Sequence, residues 1–267
     1  MNTLKLAGMA ADLHGTADHR TPLVLLHGLT FDRRMWQPAL DGLAELDPDR
    51  HILVLDLPGH GESPDQLPHA TPHLIELVRT AIDEAGLAAP VLVGHSMSGG
   101  LASLYATEHP VRGVINIDAL PELATFAGLI QSMAGPVRGS GFAQVWSTIE
   151  RGFRTDLLPA AAQRLVAENG RPTQELVVGY WEELLTTPPA EQDAMVEDAI
   201  RRVGAARVPY LLIAGSEPPS AVLDRLARHA PQARVEIWAN TGHFPHLAHP
   251  KRFAERLAET ASWTLGS

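Results

Sequence analysis

The stretch VLVGHSMSGG, Val91–Gly100, decides how the chain is read. Its first half is a run of Val and Leu, apolar on both faces, as a strand buried in a parallel sheet must be. Its second half turns abruptly to small residues, and the following GGLASLYATEH has the character of a helix. Ser96 sits at the joint. A sharp strand-to-helix turn strains the serine backbone and lifts its hydroxyl above the sheet edge, and the crowding there admits only small neighbours. The usual pattern is G-x-S-x-G; here Gly94 is present and Ser98 replaces the second glycine, with Gly99 and Gly100 behind it. A lone serine ahead of a helix is commonly an N-cap. The strand–turn–helix setting favours a nucleophile instead.

Working outward, PLVLLHG (Pro22–Gly28), HILVLDL (His51–Leu57), RGVINID (Arg112–Asp118), YLLIAG (Tyr210–Gly215) and RVEIW (Arg234–Trp238) read as strands of the same kind. Between them lie amphipathic runs such as RRMWQPALDGLAEL, PHLIELVRTAIDEAG and SAVLDRLARHA. Such alternation implies right-handed βαβ units and a mostly parallel sheet flanked by helices, an α/β fold. The alternation stops between Ala119 and Arg207, where the pattern is helical throughout and too long for an ordinary loop. The expected organisation is a core of residues 1–118 and 208–267 with a helical cap, 119–207, inserted between two strands.

A chain of 267 residues, 45% hydrophobic and 19% charged, can bury a sizeable core. A formal charge of −10 with no basic tract argues against nucleic acid as a partner. The absence of cysteine excludes thiol nucleophiles, zinc–thiolate sites and disulfides. No stretch has the length of a membrane span, and MNTLKLAGMAADLHG lacks the apolar run of a signal peptide. The expectation is a cytoplasmic protein acting on a small molecule, with neither metal nor organic cofactor.

A serine hydroxyl needs a base. Of 13 histidines, His27 and His60 sit in turn-like loops and His95 lies inside the serine turn. His243, in NTGHFPHLAHPKRF, follows the last strand-like run and precedes the terminal helix. A loop there rises from the carboxyl edge of the sheet, where ligands bind in parallel α/β folds. His246 and His249 are expected to pack nearby and to start the helix. An oxyanion needs two donors, and the backbone N–H groups of Met97 and of Leu29, in LLHGLT, form the natural pair.

In LLHGLT, LDLPGHGES (Leu55–Ser63), VGHSMSGG and TGHFPHLAHP, taken in this order and spacing, the chain resembles the α/β-hydrolase superfamily over nearly its whole length. The resemblance implies Ser96 as nucleophile, His243 as base and a helical lid after the sixth strand. It implies no particular substrate.

The acid has two candidates. The commonest arrangement in that superfamily puts an aspartate three residues after the glycine ending the seventh strand, but here that residue is Pro218. Glu217 is one position early, and a negative charge ahead of a helix at Ser220 has its own structural explanation. Asp118 ends VINID just before the expected cap, and branches including haloalkane dehalogenases carry their acid there. The alternative role for Asp118 is an N-cap or anchor for the lid. Asp56 belongs to a loop that looks structural. The reading favours Asp118, and with it a serine hydrolase cleaving a carboxylic ester through an acyl-enzyme. Lactones, thioesters and activated C–C bonds stay open. Phe126, Leu129, Met133, Trp146, Phe153 and Trp181 would line an apolar pocket or merely pack the cap helices together. A cofactor-free dioxygenase of N-heteroaromatic substrates and a ligand-binding receptor resemble the same scaffold and are the rival readings.

Overall fold

A computed structural model describes residues 4–263; the first three and last four residues of the expected core segments lie outside the described residues. Eight strands form one sheet: β1 (Leu4–Leu6), β2 (Met9–His14), β3 (Leu23–Leu26), β4 (Ile52–Leu55), β5 (Val91–His95), β6 (Gly113–Ile117), β7 (Tyr210–Ala214) and β8 (Arg234–Ile237). Their order is β1-β2-β4-β3-β5-β6-β7-β8. β2 runs antiparallel to β1 and β4, and every other pairing is parallel.

The six expected strands are all present, each trimmed by a residue or more at its ends. The β1–β2 hairpin was not anticipated. Its turn is Ala7–Gly8, both at positive φ (48° and 76°), a two-residue connection whose twist matches that of the strands. β8 also differs from the expected run apolar on both faces. It is an edge strand whose Glu236 takes ion pairs from Arg234, Arg252 and Arg256, charges that discourage edge-to-edge pairing.

Alternate residues of the central strands feed two cores, as the two-residue period of a strand requires. On one face Val24, Leu92, Val114 and Leu212 meet the helices Thr71–Glu84, Met97–Glu108 and Pro189–Ala205. On the other, Leu25, Val93, Ile115 and Ile213 meet Trp36, Leu43 and Phe253 from the helical stretches Arg33–Trp36, Gln37–Leu46 and Pro250–Glu259.

Between β6 and β7 every described element is helical: Ala124–Ser132, Ala134–Arg138, Phe142–Gly152, the short turn Thr155–Leu157, Ala160–Asn169, Gln174–Tyr180, Glu182–Thr186 and Pro189–Ala205. Trp181 separates the helix Gln174–Tyr180 from the helix Glu182–Thr186. The inserted helices are tied down by polar contacts at their edges. Tyr180 Oη donates to the Pro58 carbonyl (2.8 Å), Arg171 N–H to the Thr30 carbonyl (2.8 Å), and Arg225 pairs with Asp193 (2.6 Å). Gly179 is required where it stands, since a Cβ there would lie 2.5 Å from His69 Nδ1.

Candidate active site

The strand order reverses at β3, between β4 and β5, and the site is built on the loops leaving the carboxyl ends of β3, β5, β6 and β8. Ser96 leaves β5 with φ 56° and ψ −127°, in a region that costs a non-glycine residue energy. It stands at the N-cap position of the helix Met97–Glu108, yet its side chain makes no capping bond. The commonplace explanation of a serine here therefore fails. The turn is held by Ser96 N–H donating to the Ile117 carbonyl (2.8 Å) and Gly99 N–H donating to the Ser96 carbonyl (2.8 Å). A Cβ on Gly94 would sit 2.0 Å from the Ser98 carbonyl, so only glycine fits. The departure at Ser98 has a purpose: its buried hydroxyl donates to the carbonyl of His27, tying the serine turn to the loop after β3.

That loop is close to the serine turn and held by hydrogen bonds. A Cβ on Gly28 would stand 3.3 Å from Ser96 Cβ. His27 accepts the Leu57 N–H at Nε2 (3.0 Å), and His60 accepts the Thr30 N–H at Nε2 (3.0 Å). Each ring donates from Nδ1 to a carbonyl, of Gly28 and Pro58 respectively. Burial lowers both histidines below their ordinary values, which keeps them neutral and fit for these acceptor roles. Between them they fix Leu29, whose N–H, like that of Met97, has no hydrogen-bond partner among the described residues. Asp56 is fully buried and engaged by Arg33 and by the Glu62 N–H (2.9 Å), which accounts for it structurally.

His243 and Asp118 meet: the imidazole Nδ1 donates to Asp118 Oδ2 at 2.7 Å. Asp118 adopts φ 54°, and its second oxygen accepts the Gly215 N–H (2.8 Å). The carboxylate is thus held by β7 and aimed at His243. Glu217 is exposed, with no hydrogen bond or ion pair among the described residues, although it shares with Asp118, His243 and Arg154 the lining of a cleft of about 400 Å³. His249 stands at the N-cap position of the helix Pro250–Glu259 without a side-chain capping bond, and His246 is buried between Trp36, His95 and Phe253. His95, also buried and kept neutral by desolvation, donates from Nε2 to the His243 carbonyl (2.7 Å). Among the described residues no cluster of His, Asp or Glu is gathered as a metal site requires. No helix among the described residues is long and apolar enough to cross a membrane.

Of the aromatic residues, Trp181 and Trp146 are buried in a row with Phe126 and Phe153, with centroids 5.9–6.2 Å apart. They chiefly pack the inserted helices together. Phe153 alone of the row reaches the site, stacking on His243 at 5.0 Å and 13°. No sequence signal pointed to that contact.

His246 has a measurable consequence. Burial pushes its pKa down to about 3, against about 6.5 in the unfolded chain. A histidine with a depressed folded value stays neutral in the fold while the unfolded chain takes up a proton. Its contribution to stability is whole above about pH 6.5 and is lost at about 1.4 kcal/mol per pH unit as pH falls towards the folded value. His246→Leu is expected to flatten the fall in the urea midpoint between pH 7 and 5. An unchanged pH dependence would mean that His246 is not buried neutral.

A family model described as the alpha/beta hydrolase family matches residues 23–256. A pimeloyl-[acyl-carrier protein] methyl ester esterase of Xanthomonas campestris is 30% identical, over 90% of this chain and 94% of its own length. The enol-lactonase of Burkholderia xenovorans superposes with TM-score 0.71 at 19% identity, covering 97% of this chain and 99% of its own. A bromoperoxidase of Bacillus anthracis gives 0.73 at 18% identity, with 97% and 99% covered. At such identities the two structures speak for the fold alone. The family model and the esterase relative, both spanning most of the sequence, go further: the chain belongs to the alpha/beta hydrolase family.

Proposed function

We propose that this hydrolase cleaves a carboxylic ester through an acyl-enzyme formed on Ser96. The observation that carries the reading is the 2.7 Å bond from His243 to Asp118, taken together with a strained Ser96 at the end of β5 whose side chain makes no capping bond. In the first half-reaction Ser96 Oγ attacks the ester carbonyl and His243 Nε2 takes its proton. Asp118 holds the Nδ1–H tautomer and stabilises the imidazolium. The N–H groups of Leu29 and Met97 receive the oxyanion; their lack of other partners supports that role. Collapse breaks the ester C–O bond, and the imidazolium gives its proton to the departing alcohol. Water, deprotonated by His243, then attacks the acyl-enzyme, releasing the carboxylic acid and restoring Ser96.

Ester hydrolysis is favoured over the oxygenase and receptor readings by the esterase relative, whose name specifies a methyl ester. We read residues 119–207 as a cap over a core of 1–118 and 208–267. In support, the inserted segment touches the site through Phe153 and the loop after β3 through Arg171.

A fluorophosphonate probe, which reacts only with an activated serine, is expected to label Ser96 and to leave Ser96→Ala unlabelled. A panel of nitrophenyl esters of increasing acyl length then ranks substrates. Folded wild-type protein that neither takes the probe nor turns over any ester would refute the esterase reading.

A further inference from the structure

A general base on a loop must be held in plane as well as in place. The Asp118 bond fixes one nitrogen of His243 but leaves the ring free to swing about that contact. His95 and Phe244 touch the ring only at steep angles, 49° and 73°. Phe153 lies nearly parallel to it, 13° between planes with centroids 5.0 Å apart. Phe153 also holds the backbone, since its carbonyl accepts the His243 N–H at 2.9 Å. From the opposite side His95 Nε2 donates to the His243 carbonyl at 2.7 Å, so the residue is gripped at both ends of its main chain. Gly242 makes the approach possible: it sits at φ 56°, and a Cβ there would stand 2.4 Å from the Phe153 carbonyl. On the inserted side Arg154 adopts φ 51°, a left-handed conformation that turns the chain sharply just after Phe153.

We propose that Phe153, at the end of the helix Phe142–Gly152, is a positioning residue for His243, through which the inserted helices hold the base in line with Ser96. The proposal rests on His243 being that base. It makes the seating of this helix a condition for turnover: a shift of its C-terminal end withdraws the ring contact and the carbonyl together. A misplacement of about 1 Å in such a group costs on the order of 100-fold in rate.

The test compares Phe153→Ala, Phe153→Leu and Phe153→Tyr with wild type in ester turnover, fluorophosphonate labelling rate and thermal unfolding. The alanine and leucine variants are expected to lose about 10- to 100-fold in kcat with KM changed by less than about threefold, and to label more slowly in proportion. The tyrosine variant, which keeps the parallel ring, is expected to recover most of that loss. Should the alanine variant fail to fold, the leucine and tyrosine pair carries the comparison, because both fill the space and only one stacks. Leucine performing as well as tyrosine, or a loss confined to KM and melting temperature, would make Phe153 a packing residue and overturn the proposal. His243→Ala, run alongside, separates the two claims. If that variant stays active, the base assignment itself has failed.

Discussion

Ser96→Ala and His243→Ala are each expected to lower kcat by at least about 10³-fold, and towards about 10⁶-fold if the pair acts as a single unit. The double variant is expected to be no worse than the poorer single. The reasoning is chemical: a neutral hydroxyl is a feeble nucleophile, and a base with no serine to deprotonate has nothing to do. Activity that remains would come from the unpartnered Leu29 and Met97 N–H groups, which stay in place when either side chain is cut back. His246→Ala is the proper comparison. His246 lies beside the same His95 ring but is fully enclosed, with neither nitrogen hydrogen-bonded among the described residues. Its loss is expected to be a loss of stability, with kcat per folded molecule changed by less than about tenfold. A drop in kcat at His246 equal to that at His243, at matched folded fraction, would show that the wrong histidine has been assigned.

The legible part of the fold was the part where burial leaves no choice. β3, β5, β6 and β7 are shielded on both faces, so their sequences are predominantly apolar, with Asn116 in β6 and His95 at the end of β5 as the buried polar exceptions. The β1–β2 hairpin escaped notice because β1 is largely exposed and only three residues long, so the pattern there carries little information. Its one signal was the Ala7–Gly8 pair between Leu6 and Met9. In the site, Ser96 was legible from local crowding, because Gly94 and Gly99 must be small wherever the serine turn forms. Asp118 and Glu217 were harder to separate. Both follow strands that end at the same sheet edge, and only the turn at Asp118, with φ 54°, aims one carboxylate at the histidine. The hold of Phe153 on His243 joins residues 90 apart from two different elements, and no local pattern encodes such a contact.

The two carboxylates part most sharply under amide substitution. Asp118→Asn is expected to cost about 10²- to 10⁴-fold in kcat with folding retained. The asparagine oxygen can still accept the Gly215 N–H, as Asp118 Oδ1 does now, so the turn after β6 keeps its anchor. The amide NH₂ then faces His243 Nδ1 where Oδ2 accepted a hydrogen bond. A donor facing a donor drives the imidazole to carry its hydrogen on Nε2, and a ring so protonated cannot receive the Ser96 proton. Glu217→Gln removes only an exposed charge ahead of the helix Ser220–His229 and is expected to cost less than about tenfold. The decisive comparison is kcat for both variants at equal folded fraction, checked by thermal unfolding, with the double variant beside them. If Glu217 partly substitutes for a missing acid across their shared cleft, the double loss will exceed the product of the singles. Asp118→Asn active and Glu217→Gln dead would move the acid to the loop after β7, and would leave the 2.7 Å bond between His243 and Asp118 as a contact of the resting enzyme alone.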